Sequence, residues 1–418
     1  MNPWVGGDAG EPDPAQIDLE LESEAIFRSW GRKRPGLHRD VAAARSVLES
    51  LGGTQSTPTV LVTGSKGKGQ TAATAAAYLS AAGFRTGLVA SPGILSNLDR
   101  FSLDGMVVGV DEYNRWLWRT EDAVRRAYVE PDGYLSPTGL FTVMGHAMLQ
   151  ANGADVIVHE AGMGGSHDEI SVFDRLAVGF TSVFPEHLDV FGPTLADVAR
   201  EKFGLIRPRD IVFTVPQDSV VTDVMRSLCA SRAVEPHEIP AGDFLSQNQN
   251  LGCELAKYAA RVLGREPYSG TVELDRPGRG QFYVTRNGAE FCLDACIDPS
   301  GLAAAVERAE ERWGEVSTVY WSVPTTKNIE GMARWLEDRS VEHFFVPLVS
   351  DHLDYDLSAE TEGRLRIASR DRLLERLHPH SLLAGTITFG TSVLNEIGVT
   401  ATRLFRPVRI ESGDLPHI

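Results

Sequence analysis

The sequence predicts an α/β fold built from two domains, with a mostly parallel sheet in the first and larger one. Its length of 418 residues exceeds that of one ordinary domain. Short β-branched runs alternate with longer helical patterns, as in right-handed strand–helix–strand units. This alternation stops near residues 266–275 and then starts again. We therefore predict domains at 21–268 and 269–418, after a flexible N-terminal tail at 1–20.

The composition is that of a globular chain with an acidic surface. Hydrophobic residues make up 42% and charged residues 23%, and no run of about 18 apolar residues predicts a membrane span. A net charge of -17 argues against a general binder of nucleic acid or anionic membrane, but it allows a local basic pocket. The four cysteines form no metal-type pairing, and the first 18 residues lack a signal-peptide pattern. We expect a cytoplasmic protein with reduced thiols.

Elements of the first domain follow from short apolar runs and glycines. Residues 59–63 (TVLVT) predict a buried strand, residues 64–69 a glycine-rich turn, and residues 70–82 an alanine-rich helix. Later segments repeat the strand pattern, and one helix closes the domain. The strands are predicted at 85–90, 155–160, 177–183 and 210–215, and the closing helix at 250–263.

The second domain opens with a hairpin at Asn287-Gly288, because this dipeptide favours a two-residue turn between strands at 281–286 and 289–294. Further strands and helices alternate after the hairpin. The strands are predicted at 317–323, 343–348 and 382–386, and the helices at 301–313, 329–337 and 360–377. This pattern predicts a smaller, Rossmann-like α/β domain.

The turn at 63–71 (TGSKGKGQT) is the most informative segment. Its glycines let backbone N–H groups converge on a phosphate, and the helix that follows adds its positive N-terminal end. Val62 stands where the generic pattern G-x-x-x-x-G-K-[ST] requires a glycine, so a plain strand-to-helix turn is the alternative. We favour a phosphate site and hence a P-loop-type ATPase domain. The predicted nucleotide-binding residues of the turn are Gly64, Ser65, Lys66, Gly67, Lys68, Gly69, Gln70 and Thr71, with Thr71 also a candidate Mg²⁺ ligand.

This turn resembles the G-T-N-G-K-G-S loop of the folylpolyglutamate synthase/dihydrofolate synthase branch of the Mur ligase family. Other segments resemble the motifs of that branch in the same order, from about residue 25 to the C-terminus. They are ASPG at 90–93 (family T-S-P-H), DRF at 99–101 (E-R-I), HEAGMGG at 159–165 (L-E-V-G-L-G-G), EH at 186–187 (D-H), AREKFG at 199–204 (A-R-E-K-A-G), PGR at 277–279, LDACIDP at 293–299 (L-D-G-A-H-N-P) and Lys327 (D-K-D).

The resemblance implies an ATP-dependent ligase, in which ATP phosphorylates a carboxylate and an amine then attacks the acyl phosphate. The resemblance implies that Ser91, Glu160 and His187 are ligands of Mg²⁺. Glu160 also ends a predicted strand, at the edge of the sheet where ligands bind in such folds. The resemblance also makes Lys202 a carbamylated lysine that binds a second Mg²⁺. Lys68, His187 and Lys202 are the expected catalytic residues. The alternatives without a ligand are an empty Ser-Pro turn for Ser91 and a capping or salt-bridged glutamate for Glu160. For His187 the alternative is a structural histidine, and for Lys202 a solvated helix lysine.

Three more residues receive roles from the resemblance. Asn250 corresponds to the asparagine that meets adenine, although a helix N-cap is an equal alternative. Arg279 and Asp294 correspond to residues that bind phosphate and ribose. ATP would then lie between the two domains, and closure would assemble the site.

Departures from the family pattern concentrate where the family holds its acid substrate and the incoming glutamate. The replaced positions are Lys66, Gln70, Gly93, Ile297, Asp298, Thr326 and Asn328. We predict that activation by ATP persists while the acid, the amine or both have changed, as in specialised metabolism. A true folate ligase and a degenerate nucleotide-binding member stay open. The expected partners are a small carboxylic acid and an amino acid or amine, and the expected protein is a monomer or weak homo-oligomer.

Overall fold

A computed structural model describes residues 38–130, 132–349, 354–355, 357 and 359–407. The described chain forms two compact units. The first contains the residues up to Asp275 together with 401–407, and the second runs from Arg276 to Thr400. The predicted tail at 1–20 lies outside the described residues, and the domain boundaries of the sequence analysis stay predictions.

The first unit is organised by an eight-stranded sheet in the order β10-β9-β8-β2-β7-β3-β4-β5. All pairs from β10 to β3 are parallel, and only the β3–β4 and β4–β5 pairs are antiparallel. The predicted α/β fold with a mostly parallel sheet is therefore confirmed. Its strands are β2 (Thr59–Thr63), β3 (Thr86–Val89), β4 (Phe101–Leu103), β5 (Met106–Val107), β7 (Val156–Glu160), β8 (Ala177–Phe180), β9 (Val212–Thr214) and β10 (Pro236–Glu238).

Two smaller strand pairs complete this unit. Parallel β1 and β6 comprise His38–Arg39 and Gly133–Tyr134, and antiparallel β11 and β17 comprise Val272–Leu274 and Phe405–Pro407. The β11–β17 pair brings the residues after the second unit back to the first. No sequence pattern predicted this return.

Helices cover both faces of the large sheet. On β2, Val60 and Val62 join the core on one face, and Leu61 joins the core on the other, because side chains alternate along a strand. The helices of this unit are α1 (Val41–Ser50), α2 (Lys68–Ala81), α3 (Val110–Arg126), α4 (Pro137–Ala151), α5 (Leu188–Phe191), α6 (Leu195–Phe203), α7 (Ser219–Ser231) and α8 (Phe244–Val262), with 3₁₀ turns at Leu98–Arg100 and Glu169–Val172.

The second unit holds a five-stranded sheet in the order β12-β13-β16-β14-β15. The β12–β13 pair is the predicted hairpin, and the other three pairs are parallel. Its strands are β12 (Arg279–Val284), β13 (Glu290–Asp294), β14 (Thr318–Ser322), β15 (His343–Phe345) and β16 (Ser381–Gly385). Its helices are α9 (Pro299–Trp313), α10 (Ile329–Asp338), α11 (Ala359–Arg364) and α12 (Ile387–Glu396).

The helix predicted over 360–377 is wrong for most of its length. Helix α11 ends at Arg364, and the next residues extend along the edge strand β15. The N–H of Phe345 donates to the carbonyl of Arg366 at 2.8 Å, and the N–H of Ala368 donates to the carbonyl of Phe345 at 2.9 Å. Pairing with an exposed strand edge outweighs the helical pattern here, because it satisfies backbone groups of that edge.

Candidate active site

The glycine-rich loop lies at the carboxyl end of β2, the central strand of the large sheet. Gly64 and Gly67 have φ angles of +138° and +92°, which favour glycine. A Cβ on Gly64 would lie 2.0 Å from Oγ1 of Thr181, so this position also needs the missing side chain. The N–H of Ser65 donates to the carbonyl of Ser182 at 2.8 Å. The loop is thereby fixed against the end of β8.

Two lysines of the loop lie beside its backbone. Nζ of Lys68 donates to the carbonyl oxygens of Gly64 at 3.0 Å and Ser65 at 3.3 Å. Nζ of Lys66 lies 5.6 Å from the centre of the Phe244 ring. Helix α2 begins at Lys68, two residues earlier than predicted, so its N-terminal end opens directly onto the loop. Positive charge and a helix N-terminus thus coincide at one edge of the sheet.

Lys202 is fully buried and belongs to the same cluster. Helix α6 carries it and begins with a capping box between Thr194 and Asp197. Nζ of Lys202 donates to the carbonyl oxygens of Gly64 at 2.9 Å and Met163 at 3.0 Å. These contacts are those of a buried lysine in a polar cluster, so the alternative of a solvated helix lysine is wrong.

Glu186 completes the surroundings of Lys202. Its Oε1 lies 2.8 Å from Nζ of Lys202. Burial, followed by the positive charge of Lys68, lowers the pKa of Lys202 to about 8, although Glu186 acts in the opposite direction. Burial also acts to raise the pKa of Glu186, but the charges of Lys202 and Lys68 and hydrogen bonds from Lys202 and Ser65 lower it overall. No role was predicted for Glu186 from the sequence.

Glu160 and Ser91 meet at the ends of the neighbouring strands. Glu160 is the last residue of β7, as predicted, and its side chain is buried. Its Oε2 accepts a hydrogen bond from the N–H of Ser91 at 3.0 Å. Arg100 is buried nearby and interacts electrostatically with Glu160. Oxygen-bearing groups from two strand ends are thus brought together.

His187 follows Glu186 in an unusual backbone conformation. Its φ angle is +49°, and its Nε2 lies 4.0 Å from Oε2 of Glu186. Within the described part of the chain, no three His, Cys, Asp or Glu side chains converge as ligands of one metal ion. The metal roles of Ser91, Glu160, His187 and Lys202 therefore stay predictions.

The hydroxyl of Thr71 is turned toward helix α8. Thr71 is buried, and its Oγ1 donates to the carbonyl of Asn248 at 3.1 Å. Gln70 also faces this helix, since its Nε2 lies 3.4 Å from the carbonyl of Leu245. Both contacts fix α2 against α8. The predicted role of Thr71 as a metal ligand gains no support from this arrangement.

Asn250 lies inside helix α8, which begins six residues earlier at Phe244. Asp243 is the N-cap and accepts hydrogen bonds from two backbone N–H groups, so the capping alternative for Asn250 is wrong. Asn250 is exposed and lines an open cavity of about 500 Å³. The other lining residues are Phe213, His237, Glu238, Ile239, Pro240, Cys253, Glu254 and Lys257.

Asn248 is the asparagine of this helix that contacts the glycine loop. It is buried, and a Cβ on Gly67 would lie 2.4 Å from its Oδ1. Its Nδ2 donates to the carbonyl of Phe244 at 2.7 Å. No local motif marks Asn248, and its contact with the loop joins residues about 180 positions apart.

Arg279 and Asp294 are cross-strand neighbours in the hairpin of the second unit. Nη1 of Arg279 lies 3.4 Å from the carbonyl oxygen of Ala295. Both residues are partly exposed. Their predicted roles toward phosphate and ribose stay predictions.

Two further carboxylates hold the loop that follows Glu160. Glu201 accepts hydrogen bonds from the N–H groups of Gly165 and His167, both at 3.0 Å. Asp168 accepts from the N–H groups of Met163 at 3.2 Å and Gly164 at 3.3 Å, and from Nη1 of Arg39 at 3.1 Å. The loop is therefore held on both sides, with the carbonyl of Met163 directed at Lys202.

Comparisons with known proteins identify relatives of this chain. A folylpolyglutamate synthase of Arabidopsis thaliana is 34% identical over 183 residues, which cover 43% of this chain and 29% of that protein. A dihydrofolate synthase/folylpolyglutamate synthase of Bacillus subtilis is 26% identical over 356 residues, which cover 74% of this chain and 82% of that protein. This chain is a homologue of the folylpolyglutamate synthases. No family model matches it.

Solved structures show the same fold over nearly the whole chain. The match to the apo form of the L. casei folylpolyglutamate synthase covers 90% of this chain and 99% of the L. casei chain, with a TM-score of 0.73 at 19% sequence identity. The match to the folylpolyglutamate synthase of Thermotoga maritima covers 92% of this chain and 98% of the Thermotoga chain, with a TM-score of 0.73 at 16% sequence identity. The folylpolyglutamate synthase fold predicted from the motifs is thus confirmed. The match to two Arabidopsis relatives spans only 29% and 34% of their lengths.

No helix in the described part of the chain is long and apolar enough to span a membrane.

Proposed function

We propose that this protein is an ATP-dependent, ADP-forming ligase that joins a carboxylic acid to an amino acid or amine through an acyl phosphate. One observation carries this proposal: Lys68, Lys202 and Glu186 lie together at a glycine loop in front of a helix N-terminus. Such an arrangement suits a triphosphate, because fixed positive groups and backbone N–H groups stabilise the charge that moves during phosphoryl transfer. Solved relatives were crystallised with AMPPCP and with AMPPCP and folate.

Lys68 is the residue we assign to the terminal phosphates. Its ammonium now donates to loop carbonyl oxygens of Gly64 and Ser65, so it lies at the mouth of the loop. Phosphate oxygens are stronger acceptors than these carbonyls because they are charged. An arriving triphosphate would therefore take over the hydrogen bonds of Lys68.

The oxygen donors around the loop fit Mg²⁺. Glu160 and Ser91 already lie together, and Mg²⁺ prefers oxygen ligands. In the proposed site Ser91, Glu160 and His187 would hold one ion and Lys202, once carbamylated, a second. The bound ions would neutralise charge on the phosphate oxygens. Carbamylation needs a neutral amine, and the lowered pKa of Lys202 supplies one near neutral pH.

The cavity beside Asn250 is our proposed site for the nucleobase. Its walls include the rings of Phe213 and His237, whose centres lie 5.1 Å apart. Aromatic and apolar walls with a few polar groups suit a planar base. The amide of Asn250 can both donate and accept hydrogen bonds, as recognition of adenine requires.

We propose that the acid differs from folate, and the loop after Ser91 supports this. A Cβ on Gly93, where the family has histidine, would lie 2.0 Å from the carbonyl oxygen of Ser96 and 2.3 Å from Oδ1 of Asp99. Asp99 is buried and accepts hydrogen bonds from the N–H groups of Ile94 and Leu95. This packing leaves no room for a side chain at position 93, and therefore none for the histidine that the family has there.

Replaced positions in the second unit serve as helix caps. Oδ1 of Asp298 accepts from the N–H of Gly301 at 2.9 Å at the start of α9. Oδ1 of Asn328 accepts from the N–H of Gly331 at 2.9 Å at the start of α10. Asp298 and Asn328, which replace family residues in the region assigned to the acid and the incoming glutamate, therefore each have a structural use.

The proposal is tested by phosphate release from MgATP with a panel of carboxylic acids and amines that includes dihydropteroate, tetrahydrofolate and glutamate. We expect release to depend on one acid and one amine, and Lys68→Ala to abolish it. With the acid labelled by ¹⁸O in its carboxylate, one label should pass to each phosphate released. Phosphate without label would exclude the acyl phosphate. Binding of ATP without turnover on any acid would favour a degenerate nucleotide-binding protein.

A further inference from the structure

We propose that Asn248 is a positioning residue of the glycine loop. Its amide holds Gly67 in the left-handed conformation and so keeps the start of helix α2 shaped for a triphosphate. This inference rests on the proposed function, because it concerns the same loop. It assigns a role to a side chain to which the family resemblance gave none.

The amide of Asn248 lies flat against Gly67. A Cβ on Gly67 would lie 2.4 Å from Oδ1 of Asn248 and 2.5 Å from both its Cγ and its Nδ2. Nearly equal distances of this length to all three atoms place the Cβ position over the face of the amide and not at its edge. Two separate reasons therefore limit position 67 to glycine, namely this contact and the φ angle of +92°.

Helix α8 fixes the amide in this orientation. Asn248 is buried, and its Nδ2 donates to the carbonyl of Phe244 at 2.7 Å. Its Oδ1 finds no hydrogen-bond partner within the described part of the chain. A buried acceptor without a partner costs free energy, so an apolar side chain would serve the stability of α8 better. The contact with Gly67 gives the amide a use that offsets this cost.

Gly67 connects the loop to helix α2. It is the N-cap of α2, and its carbonyl accepts the N–H of Thr71 at 3.0 Å. A glycine N-cap has no side-chain acceptor for the first N–H groups of the helix. These N–H groups can point at a phosphate only while Gly67 keeps its conformation. The side chain that restrains Gly67 therefore acts on the phosphate site without touching the phosphate.

The variant Asn248→Ala removes the amide and lets Gly67 adopt other conformations. The apparent affinity of a ligand falls with the fraction of molecules in the binding-competent conformation. We expect about a tenth of the molecules to keep the competent loop, which weakens MgATP binding about tenfold. Backbone N–H groups of the loop should also exchange with solvent faster in the absence of any ligand.

The experiment compares the full-length wild type, Asn248→Ala and a control variant, Gln249→Ala, which shortens an exposed side chain of the same helix. Calorimetric titration with MgATP gives the affinity. Hydrogen exchange followed by mass spectrometry gives the protection of residues 64–71 and of residues 251–262 in α8. We expect Asn248→Ala to lose affinity and protection at 64–71 but to keep protection at 251–262. Gln249→Ala should match the wild type throughout.

Gly67→Ala supplies a reciprocal test if Asn248→Ala fails to fold. The added Cβ must displace the amide of Asn248, so residues 244–251 should exchange faster, although they lie about 180 positions from the substitution. Unchanged exchange at 244–251 in this variant would overturn the inference.

Two results for Asn248→Ala would also overturn it. Wild-type affinity and exchange would show that the amide does not restrain the loop, and equally faster exchange at 251–262 would show a general loosening of α8. A wild type that binds no MgATP would instead overturn the proposed function, while the exchange measurements would still test the contact.

Discussion

Lys202 is the residue whose surroundings depart most from what its sequence context suggests. Arg200 and Glu201 beside it are typical of a solvated helix face, yet Lys202 is fully buried. Only the family motif indicated a special lysine. The physical reason is that α6 is short and capped, and its inner face packs on the loop that follows Glu160, through contacts no local pattern contains.

The lowered pKa of Lys202 predicts how stability depends on pH. Its pKa is about 8 in the folded protein and near 10.5 in the unfolded chain. Between these values the unfolded state binds more protons, so the free energy of unfolding should rise with pH in this window. We expect the free energy of unfolding of the wild type minus that of Lys202→Met to increase from pH 8 to 10.5. Urea unfolding in CO₂-free buffer measures both values. Groups that titrate equally in both proteins cancel in this difference. A difference that stays flat or falls with pH would contradict the lowered pKa of Lys202.

At the scale of elements, helix α6 carries Lys202 of the proposed site, whereas no residue of α7 is assigned to that site. Thr194 caps α6, and Asp218 caps α7 through a hydrogen bond from the N–H of Val220. Replacing either cap by alanine should cost about 1 kcal/mol of stability. We expect only Thr194→Ala to lower acid-dependent phosphate release as well, because α6 positions Lys202 and Glu201. Equal loss of activity in Asp218→Ala would show a general effect of stability instead.

Strands were easier to predict than helix limits in this chain. Runs such as 59–63 are fully buried and bounded by turns, so their pattern is local and the prediction matches the strand Thr59–Thr63. Helix α8 begins at Phe244, earlier than the predicted 250, because Asp243 provides a cap that the apolar pattern does not record. The helix predicted to continue after Arg364 is absent, because the backbone there pairs with β15, which lies about 20 residues earlier in the chain.

At the scale of the whole molecule, the chain returns from the second unit to pack on the first. Phe405 is fully buried in the main core, and the N–H of Leu404 donates to the carbonyl of Gly105 at 2.8 Å. We expect Phe405→Ala to destabilise the first unit by about 3–5 kcal/mol. Denaturant unfolding followed by the fluorescence of Trp116, a core residue of that unit, measures this. A loss below about 1 kcal/mol would show that the return contributes little.

The order of motifs along the chain was enough to predict the overall fold, whereas the contacts that complete the site were not. Gly64, Lys68, Glu160 and Lys202 were predicted because each stands in a recognisable segment. Glu186 stands beside His187 in the EH segment, but its contact with Lys202 on α6 is not part of that pattern. Asn248 and Asp168 stand in no motif, and their contacts with Gly67 and Arg39 join distant parts of the chain. Residues of this kind become visible only when the strand ends are brought together at one edge of the sheet.

The proposed function depends on binding of the triphosphate of ATP by the glycine loop, with Lys68 in contact with it. Calorimetric titration of MgATP into the wild type and Lys68→Ala measures this binding. We expect saturable binding by the wild type and an affinity at least about tenfold lower in the variant, because a charge-assisted contact is lost. Equal affinity in both proteins, or no binding by the wild type, would contradict it.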